Sequence, residues 1–284
     1  MLVDYHLHLR DPDERINHTA DAAERFVERA RERGVDEIGF TEHVYYFRQT
    51  AEIWDVPYQT ARCVYDLDTY VDAVIEAKRR GLPVKLGLEV DYVGERQGRL
   101  AELLEPYSWD FLLGSVHWID GLAVDQEPGI WDRGVEDVWR AYFDALAELA
   151  GSGAVDVLAH PDLAKIFGQR PANGALHALH EEAAESIASA GVSIEVSTAG
   201  LRKPVRELYP DRGLLQACSD RGVPITLASD GHVPTLVGED FDQALELVRS
   251  AGYETVTVFD GREGRQEPLA QPGSGLAFGQ AGEA

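Results

Sequence analysis

Apolar and polar positions follow two periods that take turns along the chain. Val3, Tyr5, Leu7 and Leu9 recur at every second residue, the spacing of a strand. Ala22, Ala23, Phe26, Val27 and Ala30 then recur at helical spacing behind a Thr19 or Asp21 cap, and Gly34 ends the run. "VDEIGF" predicts a second strand ending in "TEH", residues 41 to 43. A loop rich in aromatics follows (Tyr45, Tyr46, Phe47, Trp54, Tyr58), then a helix around residues 67 to 80 stopped by Gly81. "VKLGLEV" predicts a strand ending at Glu89, and "DFLLGSVHW" one ending at His117. After a helix near residues 135 to 150, "AVDVLAHPD" ends at His160. "GVSIEVSTAGLRK" leads from an apolar strand to Arg202, and "GVPITLASDGH" leads to Asp230 and His232. A helix near residues 240 to 251 and the strand "TVTVF" close the series.

Strands alternating with helices imply an α/β fold built on a mainly parallel sheet. A chain of 284 residues suits either two modest domains or one α/β barrel. No linker rich in Pro, Gly or Ser interrupts it before Gly261, and no internal repeat is visible, which favours one domain. Beyond Gly261 the residues turn small and polar. The expectation is a folded domain over residues 1–264 and a disordered tail over 265–284.

Charge narrows the partners. With 26 basic and 50 acidic residues the net charge is −24, which repels nucleic acid and anionic membrane surfaces. A small phosphorylated ligand must therefore be captured by local positive charge. Cys63 and Cys218 stand far apart without a CxxC pairing, giving neither a disulfide nor a thiolate-metal signal. No apolar run approaches the length of a membrane span and no secretory leader is apparent, so a cytoplasmic protein is expected.

The strand ends carry the chemistry. Parallel βα folds place their sites at the carboxyl ends of the strands. Six of the nine histidines fall at such positions, as do Glu42, Glu89 and Asp230. His6 and His8 point to one face of their strand, with Cα atoms roughly 6.5 to 7 Å apart, a spacing over which both rings can converge on one ion. Two satisfied core histidines would also fit that pair alone, but ligand-type residues at the ends of six apolar runs point to a multinuclear metal site. Imidazole and carboxylate without cysteine suit zinc, manganese or iron. Glu89 follows the apolar "LGL", where an unpaired carboxylate is costly to bury and bridging two cations would satisfy it.

"DYHLHL", "GFTEH", "GLEVDY", "GSVHW", "LAHPDL", "STAGLRK" and "SDGH", in this order over residues 4 to 232, resemble the polymerase and histidinol phosphatase (PHP) family. "GLEVDY" and "TAGLRK" resemble its histidinol-phosphate phosphatase branch. The resemblance implies a distorted (β/α)7-type barrel with about three divalent metal ions at the C-terminal ends of its strands. By motif, His6, His8, Glu89 and Asp230 would hold one ion, and Glu89, His117 and His160 the second. His43 and His232 would hold the third, completed by His18 or by its rival Asp11. Glu89, Asp230 and His232 are the implied catalytic residues.

Other residues stay open between two readings. Arg202 is a bidentate phosphate clamp or an arginine on a solvated helix start, and Lys165 a second phosphate charge or a surface lysine. Glu42 is a partner of a ligand histidine or a surface carboxylate. The aromatics of residues 45 to 58 form core or lid packing, or a wall on which an imidazole stacks. His177 and His180 read as helix-surface residues. The implied activity is the hydrolysis of L-histidinol phosphate to L-histidinol and phosphate, in histidine biosynthesis. The alternatives are a PHP phosphoesterase acting on another small phosphomonoester or nucleotide, and a non-catalytic PHP module.

Overall fold

A computed structural model of the chain describes residues 1–126 and 129–270. Its first strand, β1 (Val3–Leu7), is buried at every position and so lies inside the molecule. Thr19 accepts the Ala22 amide at 3.2 Å and opens α1 (Ala20–Glu32), which buries the predicted apolar face. β2 (Glu37–Phe40) returns parallel to β1. After 3-10 turns and the short α2 (Pro57–Thr60), Asp66 caps α3 (Leu67–Arg79) through the Thr69 amide. β3 (Val84–Leu86) pairs with β2. The chain breaks at Gly87 and Leu88 and resumes as β4 (Glu89–Asp91), which pairs instead with β5 (Leu113–Ser115), beyond α4 (Gln97–Leu104).

A small hairpin of β6 (Trp118–Ile119) and β7 (Leu122–Ala123) precedes α5 (Val135–Gly151). The alternation continues through β8 (Val157–Leu158), α6 (Asn173–Ala190) and β9 (Ser193–Ser197). It ends with α7 (Arg212–Ser219), β10 (Ile225–Ala228) and α8 (Phe241–Ser250). The sheet orders are β1-β2-β3 and β10-β9-β8-β5-β4, with every pair parallel. The α/β architecture with parallel sheets is thus as expected.

Two sets of contacts tie the sheets together at their carboxyl ends. Past β1 and β10, Leu7 bridges Gly231, with His8 N donating to Gly231 O at 2.9 Å and Gly231 N to His6 O at 3.1 Å. Past β2, His43 bridges Glu89. The Asp4 carboxylate, fully buried, accepts the Ser229 amide, the Ser229 hydroxyl and the Gly238 amide at 2.6–2.9 Å. These bonds fasten the first strand to the loop that carries Asp230 and His232. Burial still pushes the Asp4 carboxyl up to about 6, against those hydrogen bonds.

The end of the chain departs from expectation. "TVTVF" lies in β11 (Thr255–Asp260), which pairs antiparallel with β12 (Glu263–Pro268) rather than joining the parallel sheet. The expected boundary at 264/265 falls inside this hairpin, because Arg265 through Pro268 pair with Val258 through Thr255. Residues 271–284 of the expected tail lie outside the described residues.

Beside the hairpin, Phe111 packs in a three-ring cluster with Tyr5 and Phe259, their ring centroids 5.0 and 5.7 Å from its own and 6.3 Å from each other. Two strand-side glycines make room for it. A Cβ on Gly39 would sit 2.7 Å from Phe111 Cζ, and one on Gly87 2.8 Å from the same atom. The ring is fully buried against Tyr5 and Phe259, which leaves it little room to give way. Gly39→Ala is therefore expected to cost about 1–3 kcal/mol, read as a lower melting temperature in circular dichroism. Phe111→Leu in the same chain should return part of the Gly39→Ala loss, and strict additivity of the two changes would show that the clash is not with this ring.

Candidate metal centre

Glu89 opens β4 with its carboxylate fully buried, and imidazoles from several strand ends surround it. Oε1 lies 3.4 Å from both His117 Nε2 and His160 Nε2. Oε2 lies 2.6 Å from His43 Nδ1, 3.5 Å from His6 Nε2 and 3.8 Å from His8 Nε2. The two oxygens thus face different histidines. Asp230 Oδ1 adds a second carboxylate, 3.5 Å from His8 Nε2 and 3.7 Å from His6 Nε2.

Those separations test whether metal ions fit. Donors about 2.0–2.2 Å from a tetrahedral ion stand roughly 3.3–3.6 Å from one another. Most of the contacts around Glu89 and Asp230 match that edge length, and neither Glu89 oxygen, nor His6 Nε2, nor His8 Nε2 makes a hydrogen bond. Buried polar atoms are rarely left so, and a shared cation would satisfy all of them at once. Three groups capable of holding an ion meet here: His6, Glu89 and His160; His6, His8 and Asp230; and His8, His43 and His232. His43 also approaches Asp91 and His117 in a fourth group.

A supporting layer orients these rings. Glu195, buried in the middle of β9, accepts from His6 Nδ1 at 2.8 Å through Oε2 and from the His160 amide at 3.1 Å through Oε1. Asp91 holds His117 Nδ1 at 2.8 Å. Glu42, fully buried, takes the Leu9 amide at 2.7 Å and faces His8 Nδ1 at 3.5 Å, so it is an interior partner and not a surface carboxylate. His160 and Asp230 both adopt a left-handed backbone, φ 26° and 50°, a cost in strain that functional sites concentrate. Burial would raise the Glu89 carboxyl, but His43, His6 and His117 hold it well below the usual carboxylate range. Burial would lower His117, and Glu89 and Asp91 push it up to about 10 instead.

The centre opens into a cavity of about 250 Å³ walled in part by Tyr45, Tyr46, Tyr58 and Trp118. Larger clefts lie elsewhere, one of about 680 Å³ between α5, α6 and the terminal hairpin, but none of the metal-type groups lines it. The basic residues facing the smaller cavity are Arg10 and Lys203. Sequence reasoning passed over both, although Arg10 directly follows "HLHL" at a strand end.

Several sequence-based expectations need correction. Lys165 is neither a surface lysine nor in the cavity wall. It is fully buried, with its amine 2.7 Å from both Asp162 and the Leu208 carbonyl, since a buried ammonium needs such partners. The Arg202 guanidinium is turned to the Ser229 and Asp230 carbonyls and to Glu239, behind the site and away from the cavity lining. His18 does not join His43 and His232. It is packed among Phe47, Tyr65 and Tyr70 with Nε2 3.6 Å from Glu42, and His8 stands in that group instead. The rival Asp11 is engaged by Arg25, Asn17 and Arg15. His177 is exposed as expected, whereas His180 is buried with Nδ1 3.8 Å from Asp211.

The PHP domain matches residues 4–199. A protein of Deinococcus radiodurans named probable histidinol-phosphatase is 31% identical over 262 residues, covering 90% of this chain and 96% of its own. The histidinol-phosphatase of Bacillus subtilis is 24% identical over 80% of this chain and 92% of its own. The crystal structure of histidinol phosphate phosphatase from Lactococcus lactis, complexed with zinc, L-histidinol and phosphate, superposes with a TM-score of 0.72. It shares 21% identity over 93% of this chain and 98% of that one. Fold and donor set together define a protein with groups able to hold metal ions at the ends of parallel strands. The chain belongs to the PHP domain family.

Glu195→Ala removes the partner of the His6 ring and of the His160 amide together. Metal affinity, measured by competition with a chelator, is expected to fall roughly ten- to a hundredfold, with the far-ultraviolet spectrum unchanged. Glu195→Gln should lie between, because one amide oxygen cannot accept for two donors.

Proposed function

We propose that this chain is a metal-dependent phosphomonoesterase that hydrolyses L-histidinol phosphate to L-histidinol and phosphate, a step of histidine biosynthesis. The observation that carries the reading is Glu89, a buried carboxylate whose two hydrogen-bond-free oxygens face separate sets of imidazoles. The substrate is supported by relatives, matched over more than nine tenths of their own length, that bear the histidinol-phosphatase name. Residues 1–270 are read as one phosphatase domain, since a single hydrophobic core extends from Leu2 to Leu269. A closed, distorted (β/α)7-type barrel is supported by the Leu7–Gly231 and His43–Glu89 bridges. Counting β3 and β4 as one interrupted stave, the strands of the two parallel sheets number seven.

His6, His8, Glu89 and Asp230 are the proposed holders of one ion, Glu89, His117 and His160 of a second, and His43 and His232 of a third. On geometry His8 joins the last group where His18 was expected. Divalent cations held there would supply activated water and charge neutralisation for in-line phosphoryl transfer. The chain's own groups do the rest. Glu89 sets the spacing of the centre, Asp230 holds His6 and His8 in register, and His232, 32% exposed, faces the cavity where the alcohol departs. Arg10 and Lys203 supply the local positive charge that the net −24 denies to an approaching anion. Among the described residues no helix is long and apolar enough to cross a membrane.

Phosphate release from a panel of phosphomonoesters tests the assignment. The metal-loaded chain is expected to prefer L-histidinol phosphate over nucleotides and sugar phosphates, and chelation should abolish release. A preference for another ester would move the chain elsewhere in the family, and no release from any ester would mark a non-catalytic module. Arg202 separates two further possibilities. Its guanidinium is directed at the Ser229 and Asp230 carbonyls and at Glu239, behind the cavity; a phosphate clamp would require it to turn toward the cavity, and Arg202→Ala would then lower kcat/KM roughly ten- to a hundredfold with metal retained. Loss of metal instead would confine Arg202 to bracing the Asp230 carbonyl.

A further inference from the structure

The cavity wall next to His117 has a construction that metal binding and phosphate capture do not use. Ile119 and Leu122 pair across Asp120 and Gly121, both at positive φ, which is the tight turn that suits a two-residue hairpin. Trp118 pairs with Ala123, and the Val124 amide donates to the His117 carbonyl at 2.8 Å. The ladder therefore begins at the candidate metal ligand, and Asp125 leaves it on the opposite strand beside that ligand. Trp118 and Asp125 both line the cavity.

Their chemistry is complementary to one kind of leaving group. The Trp118 ring packs 5.4 Å from Tyr58, and both line the cavity, forming an aromatic wall for a flat ring. Asp125 is half-buried and, among the described residues, makes no ion pair and no hydrogen bond. Its charge nonetheless reaches the His117 ring. Arg10 and Lys203 supply the basic charge of the same cavity, so a ligand seated there meets both signs and an aromatic face.

We propose that the His117–Asp125 hairpin reads the alcohol half of the substrate, with Asp125 pairing with its ammonium group and Trp118 and Tyr58 packing on its imidazole. This rests on the phosphatase reading above and deepens it: the substrate class becomes phosphate esters of amino alcohols that bear an aromatic ring. Because Trp118 follows His117 on one strand of the hairpin and Asp125 leaves the strand paired with it, leaving-group recognition and the candidate metal centre share one rigid support.

The test uses the metal-loaded full chain and two esters, L-histidinol phosphate and the imidazolyl-propanol phosphate that lacks only the amine. In the wild-type chain kcat/KM should favour the amine-bearing ester. Asp125→Asn should shrink that preference roughly ten- to a hundredfold, chiefly through KM, with metal content unchanged, and Asp125→Glu should restore part of it. A preference that survives Asp125→Asn, or an equal loss on both esters, overturns the role of Asp125 while leaving the phosphatase reading intact. A wild-type chain that hydrolyses other phosphomonoesters but leaves L-histidinol phosphate untouched overturns both.

Discussion

A carboxylate with no access to water, encircled by imidazoles, is the constraint on which the molecule is built. An isolated buried charge of this kind costs far more than a domain of this size can spare. Glu89 is tolerable because histidines from several strand ends and a second carboxylate make the surroundings of one electrostatic piece. That demand explains why the strands end where they do. Each must deliver its ligand to the same few ångströms, and the left-handed backbones of His160 and Asp230 are what aiming two of them requires.

The rest of the fold holds those strand ends still. Asp4 and Glu195 are both buried acids that spend their oxygens on backbone amides and on side chains of other strands. Each thereby converts a loose loop or a rotatable ring into a fixed element. Away from the metal centre the same rigidity comes from packing, where Phe111 fills the space left by Gly39 and Gly87. Polar bonds fix the reactive end, and close-packed rings fix the body of the sheet.

The alternation of periods made the parallel sheets legible, and the convergence of His6, His8, Glu89, His117, His160 and Asp230 followed from reading strand ends as a class. What lay hidden were residues whose role depends on a partner distant in the chain. Glu195 in "SIEVS" looks like the solvent face of a half-buried strand, yet all five β9 positions are covered. The available signal was the cost of a charge within a central strand. Asp91 likewise sits two residues past Glu89, on the same face. Lys165 and His18 were misplaced because sequence gives the order of residues in a turn but not the direction of a side chain. The terminal hairpin did carry its own mark, since Asp260-Gly261 is a strong two-residue turn signal.

The fastening of Asp4 to Ser229 joins residues 225 positions apart. Ribosomes extend chains at about 5–20 residues per second, so the first strand waits on the order of ten to fifty seconds before its second neighbour exists. β2 covers one edge early, while the other edge, with two histidines aimed into an unfinished site, stays open through most of translation. The candidate metal centre is thus completed only when Asp230 and His232 emerge, after most of the chain has been made, and until then the nascent chain carries an apolar, ligand-rich edge open to a partner in another copy.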